Sequence, residues 1–292
     1  DICKNLKIPC SDSVSLIDVM CNPITIKEWQ LNGLPTDSVS TNNAVMFTRC
    51  ERWPLCIDPQ QQAKKWINNT YEKSNLQVTR LTDKNLLRTL EVAIRLGQPL
   101  LLEDIGETLD PALEPVLLKA VFKQSGRTLI HIGDSDIDYN PEFKFMMTTK
   151  LPNPHYLPEV CIKVTLINFT VTFEGLEDQL LGRVVSHEAP SVQKQREALV
   201  ASIAGDNRKM HDIETTILRL LSESEGNILD DSELIRTLED SKVTSKQITQ
   251  RLKEAETTNA KITKLRNQYR PVATRGSLIY FVIADMANID PM

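Results

Sequence analysis

Apolar residues fall into short strand-like runs between residues 53 and 170 and into a heptad spacing beyond residue 190. The run Leu55-Cys-Ile57 ends at Asp58-Pro59, so residues 54–57 read as a buried strand and 61–72 as the helix after it. Residues 76–79 read as a short strand. Asp83 is expected to cap a helix that carries Leu86, Leu87, Leu90 and Ile94 on one face, and Gly97 to end it. Pro99-Leu-Leu-Leu-Glu-Asp-Ile105 shows no alternation, the pattern of a central parallel strand buried on both faces. Asp110-Pro111 opens a helix expected to reach about Phe122. Segments 128–132 and 137–139 flank Gly133-Asp134, a hairpin signal. Segments 143–148 and 164–169 read as further strands. Strands alternating with helices predict an α/β fold with a parallel sheet.

The first 35 residues are mixed, with Pro9, Pro23 and Pro35 as punctuation. Residues 24–29 fit a short strand or a short helix. Gly33-Leu-Pro35 marks a turn, and Ser38 or Ser40 is expected to cap a helix to about Thr48. At the other end, residues 175–181 begin a helix. From Pro190 the chain is charge-rich and helical. Val192, Arg196, Leu199, Ile203, Asp206, Met210, Ile213, Ile217 and Leu220 follow alternating steps of four and three. Ile248, Leu252, Ala255, Asn259, Ile262, Arg266 and Tyr269 do the same. Between them lies a turn-rich tip, 222–227, and a short helix capped by Asp231 or Ser232 and running through Leu238. The pattern predicts an antiparallel coiled-coil hairpin with arms of ~30 residues, each about 45 Å long. The alternative is a compact helical lid on the α/β core; the narrow apolar stripe favours the hairpin. Arg270-Pro271 ends the return arm. Residues 278–283 fit a strand or the buried start of a following helix.

Composition narrows the classes. The 292 residues are 41% hydrophobic, enough for a real core, and carry a net charge of −5. That balance argues against a general nucleic-acid binder. No apolar run approaches the ~20 residues of a membrane span, so no membrane partner is expected. The chain starts with Asp and shows no signal peptide, which reads as an internal piece of a longer protein. Cys3, Cys10, Cys21, Cys50, Cys56 and Cys161 form no C-x-x-C pair, and His131, His155, His187 and His211 show no ligand spacing, so no metal site and reduced thiols are expected. Asn68-Asn-Thr70 and Asn168-Phe-Thr170 match the glycosylation sequon and are read as chance matches.

The candidate chemistry lies at the 58–65 loop. Strand, loop and helix is the layout that cradles phosphate in P-loop proteins. Against G-x-x-x-x-G-K-[ST], Asp58 replaces the first Gly and Ala63 the second; Lys64 keeps the lysine, and Lys65 replaces the magnesium-binding hydroxyl. Pro59 removes an amide from the loop. The acidic pair at the end of the second strand is reversed, as Glu103-Asp104, and Glu's added methylene shifts the carboxylate by roughly an ångström. Thr148 and Thr149 end a third strand, where a polar residue can sense a γ-phosphate. Asp58, Ala63, Lys64, Lys65, Glu103, Asp104 and Thr149 are therefore read as a degenerate nucleotide pocket, retained for structure, with no catalytic residue. Weak anion binding and active hydrolysis are the alternatives. Asp134, Asp136 and Asp138 share a strand face but lack the EF-hand pattern, and a solvated hairpin is expected. His155, in a Pro-rich loop beside Tyr156, is read as a packing or hydrogen-bonding residue and not a catalytic one.

Six motifs occur in a telling order: Trp53-Pro-Leu-Cys-Ile-Asp-Pro-Gln, Leu101-Leu-Glu-Asp-Ile, Thr148-Thr-Lys-Leu-Pro-Asn-Pro-His-Tyr, Asn168-Phe-Thr-Val-Thr, Gly175-Leu-Glu-Asp-Gln-Leu-Leu and Gly226-Asn-Ile-Leu-Asp-Asp231. Together they closely resemble the fifth AAA+ module of dynein heavy chains, of the axonemal kind, over roughly residues 20–292. The resemblance implies an AAA+ type parallel sheet with flanking helices, inside a microtubule motor whose six modules form a ring. It implies a module that is not a catalytic site and binds no cofactor, with ATP and magnesium at other modules. Its hairpin would be the buttress, or strut, that contacts the stalk coiled coil. The implied layout is 1–35 as a linker from the stalk region, 36–189 as the large α/β subdomain, 190–271 as the hairpin and 272–292 as a return segment. Implied partners are neighbouring AAA+ modules, the stalk, microtubules through that stalk, and dynein light and intermediate chains. The implied location is the cytoplasmic cytoskeleton, in the axoneme of a cilium or flagellum.

Overall fold

The structure, a computed structural model, describes residues 16–124, 126–133, 135–223 and 232–289. It falls into two units, which divide between Thr172 and Phe173. The first opens with helices α1 (Leu16–Met20), α2 (Pro23–Leu31) and α3 (Ser38–Arg49). The 24–29 segment is helical because Asn22 accepts a hydrogen bond from the Ile24 amide and Pro23 sits in the first turn, where its missing N–H costs nothing. The cap of α3 is Asp37, which accepts from the Ser40 amide; Ser38 and Ser40 fall inside the helix instead of capping it.

Strand β1 (Pro54–Ile57) leads to α4 (Gln62–Tyr71), then β2 (Gln77–Arg80), α5 (Leu86–Leu96) and β3 (Pro99–Glu103). Asp83 does not cap α5. Its carboxylate turns back to accept from the Arg80 amide and the Thr79 hydroxyl, and α5 starts at Leu86 without a side-chain cap. Gly97 ends α5 in the left-handed region, φ +70°, and a Cβ there would lie 2.7 Å from the Asn140 side chain.

The helix expected from Asp110 to Phe122 stops early. It is a 3₁₀ turn (Pro111–Leu113) running into α6 (Glu114–Leu117). Lys119 then turns left-handed, φ +49°, and β4 (Val121–Gln124) pairs antiparallel with β5 (Arg127–Ile132). The expected hairpin follows, β5 with β6 (Ser135–Asp138), around Gly133 at φ +60°. Then come β7 (Lys144–Thr149), α7 (Pro158–Cys161) and β8 (Thr165–Asn168).

Five strands form one parallel sheet in the order β2-β3-β7-β1-β8. Its interior strands alternate between two cores, which explains their unbroken apolar runs. Leu55, Leu100, Leu102, Phe145 and Met147 face α5 and the three-stranded sheet through Leu90, Ile94, Ile130 and Ile137. Cys56, Leu101 and Met146 face the other way, onto Trp29, Phe47 and Trp66. Trp66 meets Phe47 edge-on at 5.1 Å and Trp29 at 5.9 Å. Each buried large side chain contributes about 1.5–3 kcal/mol. Because the sheet is parallel, the C-terminal ends of β1, β3 and β7 share one edge.

The second unit is helical: α8 (Phe173–Glu188), α9 (Pro190–Glu223), α10 (Ser232–Asn267) and α11 (Arg270–Ile289). Helices α9 and α10 run antiparallel, with Asp206 bonded to Arg251 at 2.7 Å and Met210 beside Ser245 at 3.3 Å. Among the described heptad positions, only Asn259 is exposed. The return arm is one continuous helix from Ser232, without a separate short helix ending at Leu238. The tip at 224–231, with Asp231, lies outside the described residues. Pro271 occupies the first turn of α11 and so separates it from α10. Residues 278–283 are helical. Helix α11 packs on α8 through Ala273, Leu181 and Val185. Gly276 permits that approach, since a Cβ would come within 3.0 Å of Leu180. Among the described residues, no helix is long and apolar enough to cross a membrane.

Candidate functional site

The edge where β1, β3 and β7 end gathers the charged residues singled out above. Backbone bonds set the geometry: the Asp58 amide donates to Thr149 O at 2.9 Å, and the Ile105 amide to Thr148 O at 3.0 Å. Asp58 is 2% exposed. Its carboxylate accepts from the Gln62 amide at 2.7 Å and the Lys64 amide at 2.9 Å. Burial pushes its carboxyl above the ordinary range, against the pull of the Lys64, Gln62 and Ala63 amides. Ala63 is fully buried, and its methyl packs into the core beside Trp66.

Lys64 reaches across to Glu103, with Nζ 2.9 Å from one carboxylate oxygen and 3.0 Å from the other. Glu103 is buried, and Arg80 from the end of β2 approaches it at 3.8 Å. Asp104 adopts a left-handed backbone, φ +56°, which Asp tolerates better than most residues. Its carboxylate pairs with Lys150 at 2.9 Å and Arg80 at 3.4 Å, and the Lys150 contact holds its pKa below the usual value. Thr149 donates its hydroxyl proton to Ile105 O at 2.6 Å and accepts from the Leu151 amide.

Of the expected residues, Asp58, Ala63, Lys64, Glu103, Asp104 and Thr149 do converge. Lys65 does not. It is exposed, and its aliphatic chain lies against the Gly33 turn. A cavity of about 210 Å³ runs along α4, lined by Gln61, Lys64, Lys65, Asn68 and Asn69. That is below the ~300 Å³ typical of ligand pockets. The sequence reading missed Arg80 and Lys150, the cations that answer Glu103 and Asp104. Lys150 carries one usable signal: it directly follows the Thr148-Thr149 strand end.

The minor candidates resolve simply. Asp136 pairs with His131 at 2.7 Å and Asp138 with Arg127 at 4.0 Å, while Asp134 lies outside the described residues. The His155 amide donates to Glu107. Cys21, Cys50, Cys56 and Cys161 are free thiols. Burial raises the pKa of Cys56 most clearly.

A two-faced parallel sheet with a phosphate-loop layout at its strand ends, followed by long helices, defines an AAA+ type α/β module. The chain belongs to the family described as the ATP-binding dynein motor region, which it matches over residues 27–248. It is 57% identical over 99% of its length to human dynein axonemal heavy chain 6, and 46% over 99% to mouse dynein axonemal heavy chain 2. To rat dynein axonemal heavy chain 1 it is 48% identical over 98%. The chain spans only 6–7% of the length of these relatives.

The family description implies ATP, and the residues at these strand ends do not fit it with magnesium. The Gln62 and Lys64 amides are bonded to Asp58, the lysine is paired with Glu103, and Lys65, in the sequence position of the metal-binding hydroxyl, lies exposed against the Gly33 turn.

Proposed function

We propose that this chain is a non-catalytic AAA+ module of an axonemal dynein heavy chain, an ATP-driven microtubule motor. It would couple the motor ring to the microtubule-binding stalk. One observation carries the reading: the phosphate grip is engaged by the chain's own carboxylates, Asp58 on the amides and Glu103 on Lys64. In this reading the module is the fifth of the ring and binds no cofactor, with ATP and magnesium acting at other modules. Residues 190–271 form the buttress, and 36–189 the large subdomain. Residues 1–35 enter from the stalk region and 272–292 return toward the rest of the module. Partners are the neighbouring modules, the stalk, microtubules through the parent, and its light and intermediate chains, in the axoneme. Transmission of this kind needs a rigid element with two arrangements, which a rooted hairpin can supply.

Three experiments test it. Titration calorimetry of the chain with Mg-ATP should show no binding and no phosphate release; micromolar binding with turnover would establish an active ATPase instead. In the full motor, replacing Ile213 and Ile217, both on the α9 stripe, by Asp should uncouple ATP turnover from microtubule binding while leaving basal turnover largely intact. Retained coupling would overturn the hairpin's role. Sedimentation of the chain as a monomer would argue against a coiled-coil assembly module that recruits a second chain.

A further inference from the structure

The first turn of a helix leaves backbone amides without intrahelical partners, and phosphate loops give those donors to phosphate oxygens. In α4 the donors are the amides of Gln62, Ala63 and Lys64. The residue in the ordinary capping position, Gln61, is left-handed at φ +59° and makes no side-chain cap. The carboxylate that reaches the amides belongs to Asp58, four residues ahead of Gln62 at the end of β1. It therefore comes from across the loop and not from the capping position. A backbone bond from Gln61 N to Asp58 O, at 3.2 Å, closes the loop around it. The second half of a phosphate grip, Lys64, is held by another carboxylate, Glu103, which is 4% exposed.

We propose that Asp58 is a built-in substitute for a bound anion, holding the β1–α4 loop in its anion-bound arrangement without nucleotide. The inference rests on the non-catalytic reading and adds to it a residue and a cause. Loss of glycines alone would leave a loop with empty donors. Here the donors are filled from within, so the loop is ordered whatever the nucleotide supply. It follows that the site is latent: removing the carboxylate returns the three amides to an external anion.

The test uses the 292-residue chain as wild type, Asp58→Ala and Asp58→Asn, melted with inorganic pyrophosphate or with chloride at matched ionic strength. Asp58→Ala should melt lower than wild type. Pyrophosphate well above its dissociation constant should raise the variant's midpoint by about 2–4 °C, and wild type by no more than the chloride control. The Gln62, Ala63 and Lys64 amide resonances should shift with pyrophosphate in the variant alone. A folded variant indifferent to pyrophosphate, or a wild type that responds as strongly, overturns the proposal. Should Asp58→Ala fail to fold, Asp58→Asn carries the same readouts, because its one remaining oxygen still serves one amide. Binding and hydrolysis of Mg-ATP by wild type would instead bring down the non-catalytic reading, so the two failures are distinguishable.

Discussion

The α/β unit and the helical unit both bury charge, and they treat it differently. At the strand ends each buried acid has dedicated donors: amides for Asp58, Lys64 for Glu103. Along the α9–α10 seam the answers are partial. Asp206 is 7% exposed and bonded to Arg251, whose own side chain is 56% exposed. Arg266 is buried with no partner for its Nε; burial, then the nearby Arg196, lower its pKa. The sheet is buried on both faces, and two apolar cores stabilise a charge-rich edge. The helix pair has one narrow seam, where buried charge sits at a cost in stability. Buried charge is thus fully answered at the sheet edge of one unit and only partly answered along the helix seam of the other.

The largest effect should test that ranking. Trp66→Ala removes a ring packed on Trp29 and Phe47 and should cost about 3–5 kcal/mol in urea unfolding. Ile248→Ala, at a buried seam position, should cost about 2 kcal/mol. Equal losses would show that the seam is not the weaker element. Next comes Lys64→Met. In a working phosphate loop this change would lower affinity and leave the fold alone. Here it strands a buried Glu103 with only the longer Arg80 contact and should cost about 2–3 kcal/mol. Adding Glu103→Leu should recover most of that loss, measured by the same unfolding curves.

The parallel sheet, its two-sided strands and the heptad arms were legible because burial imposes period, and period survives in sequence. What was not legible depends on choices that period does not record. Val116, Leu117 and Val121 suit a helix, yet the chain leaves the helix at Lys119, a left-handed residue without glycine's signature. Asp37, Ser38 and Ser40 are all good caps, and the entry of the chain selects Asp37. Asp83 looks like a cap but is held by the strand behind it. At the site, the missing glycines and displaced hydroxyl could be read directly. That Asp58 fills the loop could not, nor that Arg80 and Lys150 arrive from β2 and β7, because both need the fold.

A smaller effect probes the seam itself. Arg251→Ala leaves Asp206 buried between helices without its partner and should cost about 1–2 kcal/mol. Asp206→Leu restores an apolar stripe position and frees an arginine already half in solvent, so it should stabilise the pair by about 1 kcal/mol. Hydrogen exchange of the α9 and α10 amides measures both. If Asp206→Leu loosens the helices instead, the ion pair is holding register and not merely tolerated there.

The smallest effect separates two acids on the same sheet edge, at the ends of β1 and β3. Burial keeps the proton on folded Asp58 to higher pH than in the unfolded chain, while Lys150 makes folded Asp104 release its proton sooner. Proton counting gives the signs. The contribution of Asp58 falls as pH rises from the ordinary value, about 3.9, through its raised folded value, and is flat above. The contribution of Asp104 is complete above the ordinary value and is lost as pH falls through its lowered one. Asp58→Asn should therefore remove a downward slope on the upper side of that value, and Asp104→Asn an upward slope on the lower side. Urea unfolding in steps of pH reads both. Opposite slopes would mean that burial outweighs the pull of the amides on Asp58, so its ionised form is kept in the loop at a cost to the fold. Equal slopes would mean that the amides outweigh burial and stabilise the ionised Asp58, as Lys150 stabilises Asp104, and the electrostatic contrast between the two acids would be lost.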